Sequence, residues 1–190
     1  PQFWLLFALF TTGAMPGVFI ISSAAKLGET MAGLTPAQAS ISVMALGICN
    51  AIGRLASGAV ADKIGPIRTL RLVFLVSTLA VALLAFVPVT LTTYLVAFVG
   101  IVIGYGGTAS VTATAIGSVF GPKYYAKNLS YIFLGLAVGA IIAVSIKMYG
   151  NLELTEVFTV SLVAALIALV CSMFLKQCPK RTDIQTSEAA

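Results

Sequence analysis

The chain is a succession of apolar stretches, each long enough to cross a lipid bilayer as a helix, with short polar turns between them. A spanning helix needs about 20 mostly apolar residues. Stretches that meet this requirement lie at 3–25, 38–61, 69–86, 91–119, 128–148 and 155–175. Inside hydrocarbon the backbone must bond to itself, and a helix achieves this within one segment. The expected fold is therefore all-α, a bundle of six transmembrane helices over 1–175. The polar residues 176–190 are expected to form a tail beyond the membrane surface.

Charge supports the same reading. Only 9% of residues are charged against 59% hydrophobic, where a water-soluble domain carries roughly a quarter charged. Such a surface has to face lipid. The net charge of +5 does not lie along one helix face as nucleic acid would require. Instead, Lys63, Arg68, Arg71, Lys123, Lys127, Lys176, Lys180 and Arg181 follow the even-numbered stretches. The opposite turns hold Lys26 and Lys147 together with Glu29, Glu153 and Glu156. Positive loops stay in the cytoplasm, so both ends of the segment are expected there. A prokaryotic cytoplasmic (inner) membrane is the expected location.

Several function classes are disfavoured. Cys49, Cys171 and Cys178 form no CxxC pair, and the chain has no histidine. A disulfide framework or zinc site is therefore not expected. With no nucleophile–base pair and no phosphate loop, neither an enzyme nor a bound cofactor is expected. The chain opens on PQFW without an initiator Met and reads as a segment of something longer.

The most specific motif is Gly58-Ala-Val-Ala-Asp62-Lys63-Ile-Gly65-Pro-Ile-Arg68, in the turn after the second stretch. Gly58 permits close helix approach and Gly65 a tight turn. Asp62, at a helix end, is placed to pair with a cation or to cap the next helix. The motif resembles the GxxxDxxG signature of the major facilitator superfamily, which lies between the second and third helices of each half. The resemblance implies a conformational latch at Gly58, Asp62, Lys63, Gly65 and Arg68. It also implies a three-plus-three inverted repeat and a partner N-terminal half of six helices. The degenerate basic run, Pro66-Ile67-Arg68, together with the polar tail, points to the C-terminal half.

Arg54 stands roughly 10 Å inside the cytoplasmic end of its helix. An arginine at a helix centre costs about 2.5–3.5 kcal/mol to insert, so its presence needs a reason. Gly47, Asn50, Ser57, Gly58 and Ala61 fall on or near its face; Leu46, Ile48 and Leu55 fall elsewhere. A cation on a small, polar stripe suggests a cavity wall. Two other readings remain open: snorkelling to the headgroups, and an ion pair with another part of the protein. No Asp or Glu lies in the interior of any stretch, so a bound carboxylate could be the partner, held by the planar guanidinium fork.

PQFWLLFALF, Asn50-Ala-Ile-Gly-Arg54 and Ala126-Lys127-Asn128 resemble the oxalate/formate antiporter family. The Asn50/Arg54 spacing is similar to the Asp-x-x-x-Arg pair of monocarboxylate transporters, with Asn for Asp. Both resemblances imply that Arg54 binds a substrate carboxylate. One departure narrows the cargo: Leu136 falls where the oxalate-binding member has an intramembrane lysine. A missing ion pair forfeits roughly 4 kcal/mol at about 4 Å and an effective dielectric near 20. The expectation is thus secondary transport of a small monocarboxylate anion, such as lactate, pyruvate or formate, by alternating access. Alternatives are a carrier for oxalate, another organic anion or a drug-like compound, and, in another class, a non-transporting membrane sensor or assembly subunit.

Tyr105, in Gly104-Tyr105-Gly106-Gly107, is a further candidate for the binding set, because a buried phenol needs a partner. Phe133 and Leu136, one turn apart, would form an apolar wall. Thr11, Thr12, Asn128 and Tyr131 are weaker candidates, since hydroxyls in spanning helices usually bond their own backbone. Gly100, Gly104 and the Gly135-x-x-x-Gly139 pair read as helix-packing positions.

Overall fold

The computed structural model describes residues 2–149 and 154–176. Residues 150–153, in the expected fifth turn, and 177–190, nearly all of the expected tail, lie outside the described residues. The described chain is helical: α1 (Gln2–Met31), α2 (Pro36–Ile64), α3 (Pro66–Phe86), α4 (Leu91–Tyr149) and α5 (Leu154–Phe174). Length and composition make all five segments capable of crossing a membrane.

The 59-residue α4 is not one straight helix. Gly121 interrupts it at φ 70°, ψ 173°, leaving limbs at 91–120 and 122–149. At 1.5 Å per residue each limb exceeds the roughly 30 Å of a hydrocarbon core.

Two polar connections expected from sequence are much shorter than their composition suggests. DKIGPIR and GPKYYAK are almost wholly helical, and each chain reversal rests on one glycine. Gly65 lies at φ 91°, ψ 150° and Gly121 at φ 70°, ψ 173°, backbone that is essentially glycine-only. Proline follows each at the first helical position, where its missing N–H costs nothing. A Gly-Pro pair therefore closes one helix and opens the next without a loop. The start of α2 behaves as Thr35-Pro36 implies: Thr35 and Gln38 form a reciprocal capping box.

α1 is the most enclosed helix, with Leu6, Leu9, Phe10, Phe19 and Ile20 at or near zero exposure. It packs against α4 and α5. Gly135 and Gly139 of the second α4 limb lie against Phe7 and Thr11 of α1, which makes the GxxxG pair a packing face. The first α4 limb is held between α2 and α3. Its Gly100 and Gly104 face Ala80 and Ser77 of α3, while Gly106 faces Asn50 of α2 and Gly107 contacts Ser57. α2 presents Ile41, Met44, Ile48, Ile52 and Leu55 outward.

The apolar core is split in two. One cluster gathers around Phe19, Tyr94, Phe98 and Phe158, the other around Phe10, Ile67, Phe74 and Ile132. Along α4 the division falls between Val102 and Val111, and along α1 between Phe10 and Met15. The Tyr94 hydroxyl donates to Ala24 O at 3.1 Å and lies 3.2 Å from Ser42 Oγ, joining α1, α2 and α4. Arg71 of α3 donates to the carbonyls of Ser172, Met173 and Leu175 at 3.2, 3.3 and 3.0 Å. These carbonyls belong to the last turn of α5 and to Leu175 just beyond it, where the helix supplies few backbone donors of its own.

Candidate functional site

Two adjoining cavities lie along the part of α4 where one cluster gives way to the other. A cavity of about 410 Å³ opens between α1, α2 and α4, lined by Ile21, Leu46, Gly47, Asn50, Arg54, Val102 and Tyr105 among others. A second, of about 210 Å³, is lined by Phe10, Ala14, Arg54, Tyr105, Thr108, Ala109, Phe133 and Leu136. Arg54 and Tyr105 border both. All five residues expected at a binding site, Asn50, Arg54, Tyr105, Phe133 and Leu136, therefore surround one pair of adjoining spaces.

Arg54 is exposed on α2, and its Nε donates to Asn50 Oδ1 at 3.1 Å. Among the described residues no carboxylate pairs with it. α2 can bring the guanidinium this close to α4 because the two backbones nearly touch. A Cβ on Gly53 would stand 2.6 Å from Ile103 O, and one on Gly106 would stand 3.3 Å from Arg54 Cγ. The Tyr105 ring lies over Gly17 of α1, next to Pro16, and any side chain at Gly17 would displace it. Its hydroxyl makes no hydrogen bond among the described residues. Phe133 stacks at a tilt on Phe10, with ring centroids 4.7 Å apart.

Three expectations need correction. Ser57 does not share the cavity of Arg54; it is buried against α4 beside Gly107 and lines a separate crevice with Thr69 and Val73. Leu46, expected elsewhere on the helix, lines the larger cavity. Both follow from which face of α2 packs inward, the one that buries Leu46, Gly53, Ser57 and Ala61. Asp62 is exposed and does not cap α3, whose N-cap Gly65 has no side-chain bond. Asp62 has no ionic or hydrogen-bonded partner among the described residues.

The weaker candidates satisfy their own helices. Thr11 and Thr12 donate to Phe7 O and Ala8 O at 2.8 and 2.9 Å, and Asn128 donates to Tyr124 O at 2.9 Å. Tyr131 is exposed. Of the latch residues, Gly58 approaches Ser110 of α4, and Lys63 and Arg68 are exposed. Sequence reasoning missed Phe10, Ala14, Thr108 and Ala109. Thr108 carried a usable signal, since three residues from Tyr105 on a helix is the same face. Phe10 and Ala14 carried none, because nothing in α1 distinguishes one apolar position from another.

The sequence profile of the Major Facilitator Superfamily matches residues 3–189. The chain belongs to this family. Membership points to a transporter rather than an enzyme, and to an integral membrane protein. Among curated relatives, the "Uncharacterized MFS-type transporter YhjX" of Escherichia coli (strain K12) is 30% identical over 141 residues, covering 74% of this chain and 35% of that protein. The "Oxalate:formate antiporter" of Oxalobacter formigenes is 23% identical over 178 residues, covering 92% of this chain and 42% of its own length. The chain thus spans less than half of each of these relatives.

Proposed function

We propose that the chain is the C-terminal six-helix half of a secondary transporter for a small monocarboxylate anion. Lactate, pyruvate and formate represent the cargo type. The observation that carries this reading is Arg54, a membrane-interior cation on the border of two adjoining cavities with no carboxylate partner among the described residues. A substrate carboxylate would supply the missing charge, and the guanidinium fork matches it geometrically.

Tyr105 would add a hydroxyl donor beside Arg54, while Phe133 and Leu136 would face the rest of the substrate. The relative named as an oxalate:formate antiporter favours a carboxylate cargo in general. Leu136 argues against a dicarboxylate, because an apolar side chain offers nothing to a second charge.

Transport would proceed by alternating access against an N-terminal half that is not in this chain, with both ends of the segment cytoplasmic. The Gly58–Arg68 turn would act as a latch in one conformation. The setting would be a prokaryotic cytoplasmic membrane.

The test is uptake of labelled lactate or pyruvate by the full-length protein in proteoliposomes. Arg54→Ala abolishes uptake while membrane insertion is unchanged. Undiminished uptake by that variant removes the basis of the proposal.

A further inference from the structure

The smaller cavity has a composition that a bare carboxylate does not use. Its lining combines the polar groups of Arg54, Tyr105 and Thr108 with Phe10, Phe133, Leu136 and two alanines. The Thr108 hydroxyl already donates to Gly104 O at 2.8 Å, so its proton is spent within the helix. Among the described residues that line it, Arg54 alone is charged.

Size points the same way. An apolar cavity of about 150 Å³ lined by aliphatic and aromatic side chains accepts benzene, and this one measures about 210 Å³. Formate or oxalate seated on Arg54 would leave it to water, which needs roughly two to four polar partners. Phe10, Phe133, Leu136 and the alanines do not supply them. A hydrocarbon group would fill the cavity and gain from burial instead.

We infer that the cavity bounded by Phe10, Phe133 and Leu136 is a specificity subsite. It narrows the cargo proposed above away from formate, selecting carboxylates with an organic group of about two to seven carbons, branched or aromatic, over formate, acetate and oxalate. The inference rests on the proposal that Arg54 holds the carboxylate, and it adds what lies at the other end of the substrate.

The experiment measures stabilisation of the purified full-length protein by formate, acetate, propionate, butyrate, isovalerate, phenylacetate and oxalate. Ligand-induced shifts in melting temperature at several concentrations give an apparent affinity for each acid. Apparent affinity is expected to rise about four-fold per added methylene, the value of one buried CH₂. Isovalerate then exceeds acetate by well over ten-fold, and oxalate is weakest. Ala109→Leu, which fills the cavity, brings the isovalerate-to-acetate ratio toward one. Leu136→Ala, which enlarges it, raises phenylacetate relative to butyrate and serves if Ala109→Leu fails to fold.

A flat series, or a preference for formate or oxalate, overturns the subsite if Arg54→Ala still removes stabilisation by every acid. In that outcome the carboxylate role of Arg54 stands. Stabilisation that survives Arg54→Ala, or none from any acid, overturns both.

Discussion

Asn50 Oδ1 accepts a 3.1 Å hydrogen bond from Arg54 Nε, one turn away on the same helix. The bond uses the donor nearest the side-chain stem and leaves the terminal NH₂ groups for a ligand. It also fixes the plane of the guanidinium, reducing the rotamer entropy lost when an anion binds. Asn50 on this reading orients the arginine.

Replacing Asn50 should therefore weaken binding without abolishing it. Asn50→Ala removes a charge-assisted bond, and we expect roughly a ten-fold loss of apparent carboxylate affinity. Asn50→Asp should be worse than Ala, because its carboxylate would occupy the guanidinium in place of the ligand. Affinities of the two variants, measured side by side by thermal stabilisation, check the order. Asp equal to or better than Ala would show that Asn50 does not act through Arg54.

How far the sequence disclosed this site depends on which helix carries each residue. Arg54 and Asn50 were legible because a charge and an amide four residues apart are conspicuous in an apolar helix. Tyr105 was legible as a phenol in mid-helix, which needs a partner; the glycines beside it prove to be points where α4 meets α2 and α3. Leu136 came through family resemblance, and Phe133 through its place one turn before it. Phe10 and Ala14 were hidden, since only tertiary packing turns two apolar residues of α1 into cavity walls. The helix positions followed from composition, whereas the one-residue reversals did not. A Gly-Pro pair beside charged residues reads equally well as a loop.

Those reversals make a stability prediction. A Cβ at Gly121 would meet nothing within 4 Å, so any cost of Gly121→Ala is conformational rather than steric. Forcing a side chain into this backbone region costs about 1–3 kcal/mol. Asn, which often relieves a left-handed position, should not help here, because ψ 173° is far from the left-handed helical value near +47°. Thermal unfolding in detergent should show Ala and Asn similarly destabilised. A wild-type melting temperature for either would mean that the turn adopts another geometry at no cost.

Arg71 illustrates a contact that no local pattern could reveal. Its acceptors lie 101 to 104 residues away, at the end of α5. It supplies donors to terminal carbonyls and a positive charge at the negative end of the helix dipole. Arg71→Ala should cost about 1–2 kcal/mol. Arg71→Lys should recover only part of this, because a point charge cannot match the spread of three carbonyls. Melting temperature and proteolysis near Lys176 test it. Unchanged proteolysis in Arg71→Ala would mean that the end of α5 is held by other contacts.

The closeness of α2 to α4 can be tested independently of any ligand by comparing two glycines on one helix. At Gly53 an added Cβ would stand 2.6 Å from Ile103 O and 2.7 Å from its Cα. Backbone cannot rotate aside as a side chain can, so α2 would have to move. Gly53→Ala should cost about 1–3 kcal/mol as an overpacked contact, and the movement would carry Arg54 away from Tyr105. At Gly47 nothing lies within 4 Å of the new methyl. Gly47→Ala should therefore stabilise the helix by up to about 1 kcal/mol through propensity alone. Melting temperatures that move in opposite directions establish the α2–α4 contact as the support on which Arg54 is held. Equal shifts would place the two helices further apart.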